Sequence, residues 1–288
     1  MSAPVALGAL RLPGAVLAAA GALGPGAVAV SWGPDPEAPA GAPDAVPAVP
    51  AVPAVTAGLT WRSHRGRPPR LIETPAGAVY VPGTAGPGVD HALRRYGRLW
   101  ATRAAPVIVS VRGAASAEYG LVAAELEGAP GVAALELDAT VPDESAGAPI
   151  GHDPLAVRRV LAEVRRACDL PVLVKLPATL PDPDASLRAA AAGGAVAVTL
   201  AGGLPAVAAP DGAEPAPGWL VGPATFPAVL HLVTRLARGA PLPLVACGGV
   251  AGVDQVRAYL RAGAAAVQVG SAHLADPRAA SAIAAALL

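Results

Sequence analysis

The residues best suited to do chemistry are two glycine-containing turns near the C-terminus and one lysine in mid-chain. Cys247-Gly248-Gly249-Val250 follows one short apolar run, and Val269-Gly270-Ser271 follows the next. Glycines at such points let backbone N–H groups come close to a phosphate, and the N-terminus of a following helix adds favourable partial charge. The alternative is a pair of ordinary tight turns. Lys175, in PVLVKLPA, is the single lysine, against twenty arginines. In a strand its side chain points opposite to that of Val174. An ammonium in an interior must be paired or hold a ligand. Two roles are open: a ligand-binding residue, or a buried ion pair, most simply with Asp138.

Other chemistries are excluded or weakly signalled. The chain has no Asn, so no site can use an asparagine carboxamide. Cys168 and Cys247 cannot by themselves form a disulfide scaffold or a four-ligand zinc site, and a reducing cytoplasm is the simplest compartment. His64, His91, His231 and His273 lack metal-ligand spacing and read as surface or packing residues. Lys+Arg and Asp+Glu are both 21, so net charge gives no support for nucleic acid or an acidic membrane surface. Trp61 and Trp219 fall near loop mouths and could stack on a ligand.

These residues need a frame, and the hydrophobic pattern supplies one. Short apolar runs predict strands at Leu59–Arg62, Val107–Val111, Ala133–Asp138, Val172–Leu176, Ala195–Leu200, Leu244–Cys247 and Ala266–Gly270. VLAAAG, near the N-terminus, makes eight. Helices are predicted between them at Val89–Ala101, Ser116–Leu126, Pro154–Ala167, Pro183–Ala192, Pro223–Ala237, Val253–Ala262 and Pro277–Leu287. Asp153-Pro154 and Asp276-Pro277 each read as an N-cap followed by proline at the first helical position. Gly128, Gly193, Gly239 and Gly263 stand where helices should stop. Continuous apolar strands separated by helices mean a parallel sheet covered on both faces. The expected fold is a single α/β domain over residues 1–288, a (β/α)8 TIM barrel. An open doubly wound sheet is the runner-up, but no GxGxxG follows the first strand.

Two segments stand apart. Residues 34–56 carry a proline every third position in VPAVPAVPAV and read as a Pro/Ala-rich loop insertion, with a lid or partner-binding strap as the alternative. Residues 12–33 are uncharged and long enough to span a bilayer. Their prolines and glycines favour two short buried strands, VLAAAG and AVAVS, over a signal or anchor.

The segments LPGAVLAAAG, RPPRLIETPAGAVY, PGVD, VIVSVRGAASAEY, LELDATVPDESAGAPIGHDP, PVLVKLPA, WLVGPA, ACGGV and AAVQVGSAHLADP fall in order along the chain. Together they resemble the class 1 dihydroorotate dehydrogenases, which are FMN-containing (β/α)8 barrels. The resemblance covers residues from about 9 to 288 apart from the Pro-rich insertion. It implies FMN as cofactor, with its phosphate on Gly248, Gly249, Gly270 and Ser271 and with Gly222 nearby. Lys175 would contact the flavin. Ala19-Ala20-Gly21 matches an early Ala-Ser-Gly turn, Arg62-Ser63 matches a Lys-Ser/Thr pair, and Ser110 and Cys247 join the implied cofactor contacts.

The substrate side departs from the family. Tyr80 and Gly86, in YVPGTAGPG, stand where asparagines bind orotate. Asp138 and Asp143, in DATVPD, replace two more, and Ala201, in LAG, another. Val141 stands at the catalytic Cys, and a valine cannot take a proton from carbon 5 of dihydroorotate. Tyr80, Asp138 and Asp143 are the expected catalytic residues, because acids and a phenol near a flavin could manage protons or bind a cationic substrate. Glu144 and His152 lie close by in sequence, and a merely solvated loop with Asp143 as a turn residue is the alternative. The expected function is an FMN-dependent oxidoreductase with hydride transfer at flavin N5, acting on a substrate other than dihydroorotate. A barrel repurposed for a non-redox transformation and a non-enzymatic flavin-binding or partner protein are the other readings. The family's members are homodimers or dimers joined to an iron–sulfur flavoprotein subunit. A homodimer or an electron-transfer partner is therefore expected, and any iron–sulfur centre must come from that partner.

Overall fold

The computed structural model describes residues 3–20, 52–67, 69–83, 86, 88–141, 148–209 and 214–288. The chain opens with a hairpin, β1 (Val5–Leu7) and β2 (Leu10–Leu12), then β3 (Val16–Ala18) and β4 (Ala54–Val55). β5 (Arg70–Thr74), β6 (Gly77–Val81), α1 (Val89–Thr102), β7 (Val107–Val111), α2 (Ser116–Leu126), β8 (Val132–Asp138), α3 (Pro154–Ala167), β9 (Val172–Pro177) and α4 (Pro183–Ala192) follow. The last part holds β10 (Ala197–Ala201), β11 (Leu204–Ala208), β12 (Ala216–Val221), α5 (Phe226–Leu236), β13 (Leu244–Cys247), α6 (Val253–Arg261), β14 (Ala266–Val269) and α7 (Ala279–Ala286).

Eight parallel strands close into a barrel in the order β10-β13-β14-β3-β4-β7-β8-β9. The expected (β/α)8 barrel is the observed fold. Its interior is built in tiers, because alternate side chains of each strand point inward. The lowest tier is apolar and takes one residue from each strand: Leu17, Val55, Ile108, Ala134, Leu173, Ala197, Val245 and Ala266. Leu7, Leu10 and Leu12 of the β1–β2 hairpin pack on this tier and plug the barrel floor. Two residues further along the strands, six of the eight inward positions are Ser110, Glu136, Lys175, Thr199, Cys247 and Gln268, and the other two are Ala19 and Ala57. Two residues further again come Arg112, Asp138, Pro177, Ala201, Gly249 and Gly270, at the C-terminal mouth. A second, larger apolar cluster fills the space between the strands' outer faces and the helices.

Most predicted elements hold to within a residue or two, and Asp153 caps α3 by accepting from the Leu155 amide at 2.8 Å. At the chain end, Asp276 accepts from the Arg278 amide at 2.9 Å and the helix starts two residues later than expected, at Ala279.

The second barrel strand is a correction. It is Ala54–Val55, not Leu59–Arg62, so the tail of the supposed insertion is barrel wall. Val52, Ala54, Val55 and Thr56 are all buried. Pro53 sits just before the strand, where its missing N–H costs nothing. Its carbonyl accepts from Ala18 at 2.9 Å, and Thr56 N donates to Ile108 O at 3.0 Å. Leu59 and Thr60 make only isolated bridges, to Val111 and Gly88. The rest of the Pro-rich segment and the AVAVS run lie outside the described residues.

A four-stranded antiparallel sheet, β11-β12-β6-β5, was not expected. It brings Trp219 of β12 beside Tyr80 of β6. Among the described residues no helix is long and apolar enough to cross a membrane.

Candidate active site

The barrel mouth opens into a cavity of about 620 Å³. That lies within the roughly 300–1,000 Å³ of small-molecule and cofactor sites. Its floor is the polar tier, where Ser110, Lys175 and Cys247 reach the cavity. Lys175 Nζ lies 3.1 Å from Glu136 Oε2 and donates to Gln268 Oε1 at 2.9 Å. Thr199 Oγ1 donates to the other carboxylate oxygen at 2.8 Å. The lysine's partner is therefore Glu136, not Asp138. Asp138 is its register neighbour, but the tilt of the strands puts Glu136 in the same tier. Burial alone would pull the Lys175 ammonium down. The Glu136 carboxylate, helped by Cys247 and Asp138, outweighs this and holds it above its ordinary value. Burial pushes the Cys247 thiol up, with Lys175 pulling against it. Ser110 is 1% exposed, and its hydroxyl has no hydrogen-bond partner among the described residues.

The glycine pole lies after β13 and β14. Gly249 has φ +61°, and a Cβ there would stand 2.4 Å from the Phe226 amide nitrogen, at the start of α5. Glycine is thus required by close packing as well as by backbone conformation. Behind the loop, Tyr259 donates to Gly248 O at 2.7 Å and meets Phe226 edge-on. His273 contacts Gly270 O through Nδ1 at 3.1 Å, and its Nε2 accepts from the Ala280 amide at 3.4 Å. Burial lowers the pKa of this imidazole, so the neutral form is preferred. The amides of Gly249, Gly270 and Ser271 donate to no acceptor among the described residues.

The opposite pole lies after β7 and β8, diametrically across the barrel in the strand order. Arg112 Nε approaches Asp138 Oδ2 at 3.3 Å. Asp138 Oδ1 accepts from the amide and the hydroxyl of Thr140, at 3.2 and 2.5 Å. The Arg112 stem lies over Gly58, where a Cβ would come within 2.1 Å of Arg112 Cδ. Tyr80 completes this pole. Burial raises its pKa, Arg112 lowers it and Asp138 raises it, with a net upward shift. The phenol stays protonated at neutral pH.

Ala19, Ala20, Ser110, Lys175, Gly222, Cys247, Gly248, Gly249, Gly270 and Ser271 all line this one cavity, as do Tyr80 and Asp138. So do Gly86, Val141 and Ala201, the described positions that stand where the family carries polar groups. Gly21, Asp143 and Glu144 lie outside the described residues. Arg62 and Ser63 do not reach the cavity. They sit on an exposed turn, with Thr60 Oγ1 bonded to Arg62 O at 2.7 Å. His152 is likewise outside the lining, with Nε2 3.2 Å from Thr179 Oγ1. Trp61 packs against the core, whereas Trp219 lines the cavity. Among the described residues no group of three or more His, Cys, Asp or Glu could hold a metal ion.

Sequence reasoning missed Glu136, Thr199, Gln268, Arg112 and Gly58. All but Gly58 lie an even number of residues from an inward-pointing position on their own strand, so the two-residue period could have found them.

Comparison with known proteins agrees with this geometry. The family described as dihydroorotate dehydrogenase matches residues 47–288. A dihydroorotate dehydrogenase B (NAD(+)) catalytic subunit from Desulforudis audaxviator is 37% identical over 225 residues, which is 76% of this chain and 73% of that protein. The subunits of the same name from Citrifermentans bemidjiense and Geobacter sulfurreducens are 35% and 36% identical. They match 79% and 80% of this chain and 77% and 78% of their own lengths. With a closed eight-stranded barrel and a large cavity at its C-terminal mouth, the chain belongs to the dihydroorotate dehydrogenase family.

Proposed function

We propose that this protein is an FMN-dependent oxidoreductase whose substrate is not dihydroorotate. The residues present fit the cofactor. The unbonded Ser110 hydroxyl on the floor and the free amides of the glycine pole are polar groups that a bound ligand would satisfy. Lys175 has three N–H donors and spends two on Glu136 and Gln268, leaving one for a ligand. Gly248, Gly249, Gly270 and Ser271 would hold the phosphate, with Gly222 nearby, and Ala19, Ala20 and Cys247 would add further contacts to the cofactor. When bound, FMN supplies a two-electron acceptor and donor at N5.

The observation that carries the substrate reading is Val141 in the cavity wall. Val141 has no group that can move a proton, and no asparagine exists to bind a pyrimidine ring. Tyr80 is the group best placed to handle a proton, as a donor at its phenol oxygen. Asp138 is occupied by Thr140 and Arg112, which supports a positioning role over that of a base. The name of the relatives, a catalytic subunit acting with NAD(+), supports a partner subunit that exchanges electrons with this chain. Both cysteines are unpaired, which supports a reducing, cytoplasmic location.

The test is the visible spectrum of the purified chain after incubation with FMN and removal of the excess. Retained oxidised-flavin bands are expected. A chain that stays colourless refutes the cofactor assignment and favours a non-redox use of the pocket.

A further inference from the structure

We infer that Glu136 is a positioning residue for Lys175: it fixes the ammonium at the cavity floor and cancels its charge, so that bound FMN meets a neutral floor and releases its electrons readily. The inference rests on the reading above that FMN occupies this cavity. It concerns a residue that does not itself line the cavity.

The floor is layered. Lys175 lines the cavity, with 9% of its side chain exposed, and Glu136 lies beneath it at 0%. Donors from three other strands converge on the Glu136 carboxylate. Lys175 Nζ of β9 reaches Oε2 at 3.1 Å, while Thr199 Oγ1 of β10 and Gln268 Nε2 of β14 reach Oε1 at 2.8 and 2.5 Å. An ionised carboxylate accepts and never donates, and this set of donors suits it. Gln268 closes the ring, its Oε1 accepting from Lys175 at 2.9 Å. The ammonium is thus held from two directions, by an acid on β8 and an amide on β14, with one N–H left over.

A buried ion pair adds little net stability over an apolar pair of the same size. What it changes is the charge that a ligand meets. A hydride arriving at FMN brings two electrons and one proton, so the ring gains one unit of negative charge. A lone ammonium in the floor would stabilise that charge and hold the electrons back. Lys175 and Glu136 together sum to zero. The other titratable groups that act on Lys175 are Asp138 of β8 and Cys247 of β13. Asp138 is paired with Arg112 of β7 at 3.3 Å, and burial keeps the Cys247 thiol protonated. Thr199, Gln268 and Ser110 carry no charge. Nothing in the floor then favours the reduced cofactor by net charge, and an acceptor can take its electrons.

The experiment measures the midpoint potential of bound FMN by anaerobic reduction against a reference dye, between about pH 6 and pH 8. Glu136→Gln leaves one positive charge in the floor. It should raise the potential at the acid end by ~30 mV or more, a ~10-fold gain in affinity for reduced over oxidised FMN in a two-electron couple. With Glu136 neutralised, the burial of Lys175 is less opposed, so its proton leaves more readily and the rise should shrink towards the alkaline end. In Lys175→Met/Glu136→Gln the floor is neutral again, and the potential should return to the native value. Glu136→Asp keeps the charge but retracts it by one methylene. It should give a smaller rise, and it carries the test if Glu136→Gln fails to fold. A potential at or below the native value throughout this range in Glu136→Gln, or in Glu136→Asp where that variant carries the test, overturns the inference. So does a rise that persists in the double variant, because the effect would not then pass through Lys175. A native chain that takes up no flavin fails the cofactor reading and this inference with it. A chain that holds FMN at an unmoved potential fails this inference alone.

Discussion

Lys175→Met should destabilise the FMN-free protein strongly, and a second substitution should restore it. The Lys175 and Glu136 side chains are 9% and 0% exposed, with Nζ 3.1 Å from Oε2. Removing the ammonium leaves a carboxylate inside the barrel with no counter-charge. Thr199 and Gln268 still donate to Oε1, but Oε2 loses its donor. Breaking a buried pair from one side costs about 3–5 kcal/mol. At about 2–4 °C per kcal/mol for a domain of this size, the melting temperature should fall by roughly 6–20 °C. Methionine nearly conserves volume, so a packing defect contributes little. Adding Glu136→Gln removes the stranded charge while keeping an oxygen for Thr199. The double variant should recover at least half of the loss. Thermal unfolding followed by far-ultraviolet circular dichroism on both single variants and the double measures this. A Lys175→Met variant that melts with the native protein would refute the claim that this pair is buried and mutually dependent. A double variant no better than Lys175→Met would assign the loss to packing instead of charge.

Three further outcomes follow from the same geometry. Ser110→Ala deletes a buried hydroxyl without a partner, so it should leave the melting temperature of the FMN-free chain unchanged or slightly higher while weakening FMN by about 2- to 10-fold, the worth of one hydrogen bond. His273 has its pKa lowered below 6.5 mainly by burial, so the unfolded chain binds the extra proton more readily. Its contribution to stability is present above the unfolded value and is lost as pH falls from about 6.5 towards the depressed folded value. The Gly270 turn should then loosen and FMN retention should fall, and His273→Gln should flatten this pH dependence of both melting and FMN binding. Gly249→Ala should destabilise even the FMN-free chain, because its Cβ meets the Phe226 backbone. Unfolding of FMN-free Gly249→Ala at the native temperature would show that the glycine serves only the ligand.

Much of this architecture is legible in sequence because its barrel strands are short, buried on both faces and separated by capped helices. VIVSV, VLVKLP and LVAC announce themselves by continuous apolarity, and their C-terminal ends carry the chemistry. The second barrel strand escaped because Ala54–Val55 is two residues long and sits in a proline-rich run, where proline argues against a strand. Only the hydrogen bonds of Pro53 and Thr56 to β3 and β7 reveal it as wall. The antiparallel sheet at the mouth was missed because β11 and β12 alternate weakly and contain Pro205, Pro217 and Gly218. Within the site, Lys175 was found as the single lysine, and its inward direction follows from alternation. Its partner was misjudged because register neighbours on adjacent strands belong to different tiers once the strands tilt. Arg112 carried no signal of its own among twenty arginines. Its placement at the mouth emerges from Gly58 and Asp138, one of them 54 residues away in sequence and neither part of a recognisable motif with it.

The most direct test mixes FMN-loaded protein with dihydroorotate in the absence of oxygen and follows the flavin band. Without a base at Val141, proton removal from carbon 5 loses about 10²–10⁴-fold in rate. The oxidised band should therefore persist over many minutes, with no orotate formed, while a chemical reductant bleaches it at once. Prompt bleaching by dihydroorotate with stoichiometric orotate would contradict the account and return the chain to the activity carried in its relatives' name.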